Sequence, residues 1–287
     1  MDGILLVDKP SGYTSRDIVN IVGKLLNTKK IGHTGTLDPI ATGVLVLCIG
    51  RATKLVDILV NDDKEYIAEI TIGIETDTLD IEGKVIKQVK VNDIDKKQVE
   101  AVLTNMIGEY EQEVPIYSAI KVKGKKLYDY ARSNEKVTLP KRLVNIKTLE
   151  LTNIKDNILT IKCQVSKGTY IRSLVRDIGL KLGYPACMSS LRRIRQGIFK
   201  IEDCYTMENI KNKEYNILRI TEALKNYPIK VVDDKMAKKI LNGMKLDKFF
   251  DEERILLIDE QNEALAIYER DSNDKSKVKP LKILKTT

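Results

Sequence analysis

The chain opens on an unbroken apolar run, Ile4 to Val7, which Pro10, Ser11 and Gly12 bring to a stop. A short apolar run bounded by turn residues predicts a buried strand over residues 3–9. Ile18, Val19, Val22, Leu25 and Leu26 then recur at the spacing of one helical face. A helix is expected there, capped by the hydroxyl of Thr14 or Ser15. Val44 to Ile49 reads as a second buried strand, and Lys54 to Val60 as a short helix. From Tyr66 to Ile72 apolar and polar positions partly alternate, which is the two-residue period of a half-buried strand.

Farther along, Asp80 to Gly83 supplies turn chemistry before Val85 and Ile86. Val99, Val102, Leu103 and Met106 mark one face of a helix over 97–106. Strands are expected at 144–152 and 158–165, then a helix from Tyr170 to Leu182 ended by Gly183. Hairpins and helices mix without regular βαβ alternation, so the expected class is α+β on a largely antiparallel sheet. The pattern breaks around Lys225–Pro228. A catalytic domain over 1–228 and a small barrel-like β domain over 229–287 are therefore expected. The second would hold a helix over 236–241 and strands at 255–258 and 264–268.

Charge changes the picture more than composition does. The net charge is +8, but 18 Lys and Arg against 5 Asp and Glu fall between Lys121 and Arg195. A basic middle on an otherwise mildly acidic chain is the footprint of a polyanion, although a solvated lysine-rich surface gives the same count. The four cysteines form no CxxC pair and there is a single histidine, which argues against a zinc site. No apolar run reaches transmembrane length and no leader-like segment opens the chain. A cytoplasmic protein with reduced thiols is expected.

The segment with most chemical content is Lys30-Ile31-Gly32-His33-Thr34-Gly35-Thr36-Leu37-Asp38-Pro39, followed by Ile40-Ala41-Thr42-Gly43. Its glycines, proline and threonines predict a loop held between a helix and a buried strand. No Gly-Lys-Ser/Thr ends it, so it is not a phosphate-binding P-loop. A serine-type triad would need a second histidine. The residues alone leave open a structural Asp-Pro turn and a catalytic carboxylate.

Six blocks in order go further. Gly32 to Pro39 with Gly43 resembles the catalytic signature of the TruB family of tRNA pseudouridine-55 synthases. Gly3 to Gly12 resembles that family's opening strand and Lys-Pro turn, and Lys64-Glu65-Tyr66 its Lys-x-Tyr motif. Thr76-Asp77-Thr78 with Asp80 and Gly83, then Tyr117 to Lys121 with Leu127-Tyr128 and Ala131-Arg132, follow the next signatures. Ser166 to Leu174 with Arg176-Asp177, and Leu191-Arg192-Arg193 with Gly197, close the set. Two departures stand out. One proline, Pro115, occupies the usual Pro-Pro pair, and Asn134 stands where the family ends a short helix with glycine.

The resemblance implies a mixed-sheet pseudouridine synthase domain with a small C-terminal PUA-like RNA-binding domain. It implies isomerisation of the uridine at position 55 of tRNA, with Asp38 as catalytic nucleophile and Arg172 as its ion-pair partner. Tyr66 would stack on the uracil and take part in proton removal. Tyr170 and Leu191 would complete the pocket wall, and Lys9 and Pro10 would buttress it. His33 would reach into the T loop by hydrogen bonding or stacking. The base must leave its stack to react, at a cost on the order of a few kcal/mol. Because the reaction has no net redox change, hydrolysis or group transfer, no cofactor or metal is expected. The implied partner is the T stem-loop of tRNA, bound by a monomer. A guide-RNA-dependent synthase shares the signature, and the short N-terminus and compact C-terminal segment favour a stand-alone enzyme over it.

Overall fold

In the computed structural model, which describes residues 1–285, two sheets share a packed interior. The chain begins with strand β1 (Gly3–Lys9) and helix α1 (Ser15–Leu25). Thr14 caps α1 by accepting from the Asp17 N–H, and the Asp17 carboxylate accepts from the Thr14 N–H in return. A short strand β2 (Ile31–His33) and the long strand β3 (Thr42–Ile49) follow. The segment expected as a helix over 54–60 is instead a 3-10 turn, Gly50–Leu55, running into one α-helical turn, Val56–Leu59.

Next come β4 (Lys64–Ile72), α2 (Lys96–Thr104) and β5 (Gly108–Glu113). Two long strands, β6 (Lys141–Lys155) and β7 (Ile158–Val165), form a hairpin. Helix α3 (Ile171–Leu182) ends at Gly183, whose left-handed backbone (φ 83°) suits glycine, and β8 (Ala186–Gln196) completes the scaffold. The main sheet runs β1-β3-β8-β4-β7-β6-β5, with β2 on β3 and Phe199–Lys200 on β8. Every pairing in it is antiparallel except β8 against β3. This is the mixed, largely antiparallel α+β architecture expected from the order of elements.

Why β1 and β3 are apolar without a break is now plain. Leu5, Val7, Leu45 and Leu47 face α1, packing on Ile18, Val19 and Val22. Their alternates Ile4, Leu6, Val44 and Val46 face the other way and join a cluster with Leu256, Ile258, Ala264 and Ile267 of the second sheet. A strand buried on both faces loses its alternation. Each such side chain contributes about 1.5–3 kcal/mol by leaving water. On the far half of the sheet, α2 and α3 cover β4, β6 and β7.

That second sheet is built from β9 (Ile229–Val231), helix α4 (Asp234–Leu241), β10 (Leu246–Asp247), β11 (Arg254–Ile258), β12 (Ala264–Arg270) and β13 (Lys277–Ile283). Its order is β9-β11-β12-β13-β10. The segment expected as a small β domain over 229–287 contains it, and the last two positions of that range lie outside the described residues.

Several strands escaped the pattern reading, β13 among them. In β5, Glu109, Glu111 and Glu113 sit on an edge strand and need no burial. The larger surprise is β8, a central strand carrying Ser189, Ser190, Arg192, Arg193 and Arg195. It has only a short apolar stretch because its arginines find partners across the sheet. Arg192 pairs with Asp8, Arg195 with Glu65, and the Arg193 Nε donates to the Val44 carbonyl at 2.7 Å.

Candidate active site

The Gly-rich segment is not wholly a loop. Ile31 to His33 pair with β3, and only the stretch after them, Thr34 to Ala41, projects from the sheet. Ser15 and Lys9 immobilise it. The Ser15 hydroxyl, at the start of α1, accepts from the Leu37 N–H at 2.8 Å. The buried Lys9 Nζ donates to the carbonyls of Pro10, Tyr13 and Pro39 at 2.9, 2.7 and 3.2 Å. Burial lowers the Lys9 ammonium to about 8, opposed by the Asp38 charge. Where the loop rejoins the sheet, Gly43 has φ +99° and a side chain there would sit 2.2 Å from the Arg193 carbonyl oxygen. Only glycine allows β3 and β8 that approach.

Asp38 is thereby presented to Arg172 in the first turn of α3. The guanidinium grips the carboxylate with two bonds, Nε to Oδ2 at 2.9 Å and Nη2 to Oδ1 at 3.1 Å. Arg172 is itself held, donating to the Thr78 carbonyl at 3.0 Å and the Tyr117 carbonyl at 3.1 Å, with the buried Asp80 carboxylate 3.8 Å away. The arginine side chain is 7% exposed and the aspartate 32%, so the carboxylate keeps an open side toward solvent. A bidentate pair of this kind fixes orientation as well as charge.

That open side faces a cleft of about 880 Å³. Asp38, Tyr66, Tyr170, Arg172 and Leu191 all line it, so five of the six residues singled out from the sequence meet at one place. Tyr66 and Leu191 are buried, from β4 and β8. The Tyr170 N–H, capping α3, donates to the buried Gln112 side chain at 2.8 Å. His33 does not line the cleft. Its Nδ1 accepts from the Gly35 N–H at 3.3 Å, and burial, aided by the Arg16 and Arg193 charges, holds the imidazole below its ordinary range.

Burial pushes the Tyr66 hydroxyl above the usual tyrosine range, while the neighbouring Arg193 guanidinium pulls it back. Arg193, 1% exposed, also lines the cleft. Sequence reasoning gave it no role, and its place in the Leu-Arg-Arg block was the sole local signal. Gln112 and Asp80 were likewise missed as supports.

The basic footprint needs correction too. Of the cations between 121 and 195, Arg172, Arg176, Arg192 and Arg195 are paired with carboxylates of the protein itself. They are not an open RNA-facing surface. Most of the others are exposed: Lys121 and Lys123 on the hairpin Lys121–Lys126, Arg132 in the helix Leu127–Arg132, whose Tyr128 lines the cleft, and Lys136, Lys141, Lys147, Lys155, Lys162, Lys167 and Lys181 beyond them. After that helix Asn134 adopts φ +52°, so asparagine supplies the left-handed exit in place of glycine.

Residues 23–171 match the model of the TruB family pseudouridylate synthase N-terminal domain. Residues 172–227 match that of the tRNA pseudouridylate synthase B C-terminal domain. The chain belongs to the TruB family. The tRNA pseudouridine synthase B of Bacillus subtilis (strain 168) is 44% identical over 304 residues, spanning 99% of this chain and 98% of that protein. That of Bacillus cytotoxicus is 42% identical, spanning 99% and 97%. Among solved structures, a chain of a crystallised Cbf5-Nop10-Gar1 complex superposes with a TM-score of 0.75 at 26% identity, over 99% of this chain and 85% of that one. This TruB family member is thus a pseudouridine synthase, an isomerase. Among its described residues no helix is long and apolar enough to cross a membrane.

Proposed function

We propose that the chain converts the uridine at position 55 in the T loop of tRNA to pseudouridine, with Asp38 as the catalytic nucleophile. The observation that carries this reading is the two-bond grip of Arg172 on Asp38 at the wall of the cleft. The guanidinium matches the charge of the carboxylate and fixes its orientation. Its free side is available to the sugar or the base of an extruded nucleotide.

The chemistry asks for little else. The N1–C1′ bond breaks, the uracil turns, C5 takes the place of N1, and the C5 proton leaves. Tyr66 forms one face of the base pocket and its hydroxyl takes part in removing that proton. Tyr170 and Leu191 confine the ring while it turns. Nothing is oxidised or hydrolysed, so the reaction calls for neither metal nor cofactor. His33, with Nδ1 occupied by the Gly35 N–H, would offer its other nitrogen to the T loop as a donor.

Substrate binding falls to the basic hairpin and helix over 121–132 and to the second sheet, read here as a PUA-like module for the acceptor side of the tRNA. Domains of 1–228 and 229–287 follow from that reading. The chain is read as acting as a monomer, and a tRNA substrate with free thiols in the enzyme supports a cytoplasmic place of work.

The test is release of tritium from C5 of uridine in unmodified tRNA transcript. The native protein should release one tritium per tRNA, and Asp38→Asn should release none while binding the same RNA. No release from bound transcript by the native protein would sink the proposal.

A further inference from the structure

Arg193 is an unusual arginine. It is 1% exposed and ranks among the largest fully buried side chains of the protein. Its neighbours along β8 each hold a carboxylate, Arg192 that of Asp8 and Arg195 that of Glu65. Arg193 has none within ion-pairing distance among the described residues. Its Nε donates to the Val44 carbonyl at 2.7 Å and its Nη2 to the Gly35 carbonyl at 3.1 Å. Those dipoles satisfy donors without supplying a negative charge, and an uncompensated buried cation is costly.

The strand register shows what stands next to it. Arg193 lies directly opposite Tyr66 across the antiparallel β8–β4 pair, so both side chains leave the sheet on one face. Both line the cleft that holds Asp38. The ionisable groups facing Tyr66 are Arg193 from β8, Asp38 from the loop and Cys163 from β7. Asp38 and Cys163 oppose a negative charge on the tyrosine and Arg193 favours one. Lys9 and Lys64 lie close enough to Arg193 for its charge to weaken their hold on protons. A permanent positive charge at this point therefore acts on every nearby titratable group.

We propose that Arg193 is a positioning residue for the isomerisation, acting through Tyr66 by orienting its hydroxyl and stabilising its phenolate. The inference rests on the roles of Asp38 and Tyr66 proposed above. Because burial outweighs the guanidinium's pull on the hydroxyl, only a minor fraction of the free enzyme, rising with pH, has given the phenol proton to solvent. Once the uracil has rejoined C1′ through C5, the phenolate oxygen takes the C5 proton. The C5–H electron pair returns to the ring, restoring its conjugation, N1 takes a proton from solvent, and Tyr66 leaves the step as the neutral phenol. Arg193 keeps its charge throughout. Through Gly35 and Val44 the same guanidinium ties this strand pair to both ends of the Asp38 loop, so base and nucleophile share one support.

The experiment is single-turnover tritium release from C5 across neutral to alkaline pH, with tRNA affinity measured alongside. Arg193→Gln should move the rising limb of the profile to higher pH and lower the neutral-pH rate at least about tenfold, the equivalent of one pKa unit. It should also raise the C5 hydrogen isotope effect while leaving affinity within about threefold. Arg193→Lys, which keeps the charge, should recover most of the limb. In a Tyr66→Phe background, Arg193→Gln should cost nothing further.

A fall equal at every pH, or losses that multiply with Tyr66→Phe, would overturn the proposal. Should Arg193→Gln not fold, the same cycle run with Arg193→Met decides, because it too removes the charge while filling the buried volume with an unbranched apolar chain. Loss of tritium release by the native protein, or its survival in Asp38→Asn, would instead sink the reading of Asp38. A normal native enzyme with an unmoved limb sinks the role of Arg193 alone.

Discussion

The hydroxyl of Ser15 contacts both backbone groups of Leu37, lying 2.8 Å from its N–H nitrogen and 3.2 Å from its carbonyl oxygen. Ser15 begins α1, and Leu37 precedes the aspartate gripped by Arg172. The loop is thus riveted to a helix whose own place is set by Ile18, Val19 and Val22 in the core.

Removing that rivet should loosen the loop without removing any chemistry. Ser15→Ala leaves a buried N–H without its partner, at a cost of about 1–3 kcal/mol. We expect a lower melting temperature and a fall in kcat larger than any rise in KM, because misplacing a reacting group by about 1 Å can cost on the order of a hundredfold. Steady-state kinetics on tRNA transcript with a melting curve check both; an unchanged kcat would show that the loop holds its shape without Ser15.

Arg172→Lys should be far from conservative. A lysine offers one point charge where the guanidinium makes two bonds to Asp38 and two to the carbonyls of Thr78 and Tyr117. Activity should drop about a hundredfold or more with tRNA affinity nearly unchanged. Loss of affinity instead would mean that Arg172 contacts RNA directly.

Lys9 and Lys64 give the fold an alkaline signature. Burial lowers both from the ordinary 10.5 to about 8. Between those values the unfolded chain binds the protons more tightly than the folded one, so raising the pH through this window removes a cost of the folded state. Their contribution to stability should therefore rise from about pH 8 toward 10.5. Urea midpoints of native protein and Lys64→Met, compared across that window, should converge or cross as pH rises; parallel curves would show that Lys64 titrates normally.

Charge reversal should separate the two kinds of cation in the basic stretch. Lys121, Lys123 and Arg132 lie on exposed elements, and reversing them should weaken tRNA binding and flatten its salt dependence by about 0.9 in log–log slope per lost phosphate contact. Arg176→Glu and Arg195→Glu would break ion pairs with Glu113 and Glu65, so they should lower stability instead. Filter binding over a salt series, with melting curves, reads both; equal salt slopes in the two groups would contradict the division.

Much of this protein was legible along the chain. The helical period of Ile18 to Leu26 and the apolar runs at Ile4 and Val44 report burial directly, because a side chain facing the core must be apolar wherever no partner satisfies it. The cap, narrowed to Thr14 or Ser15 and found at Thr14, and Gly183 as stop are local chemistry and needed no fold. The ordered blocks from Gly3 to Gly197 carried the family. Asp38, Tyr66, Tyr170, Arg172 and Leu191 carried the site.

What stayed hidden depends on residues far apart in sequence. Arg172 reaches Asp38 across 134 positions, and Arg193 reaches Val44 across 149. The central strand β8 shows little apolar period because its arginines are satisfied by Asp8, Glu65 and carbonyls contributed by other strands. Counting Lys and Arg could not tell which cations those partners would consume. The sequence determined which residue types were present and which faces sought burial. Tertiary structure decided which charges were paired within the chain and which stayed free at the surface, since a buried charge is tolerable only where another part of the chain meets it.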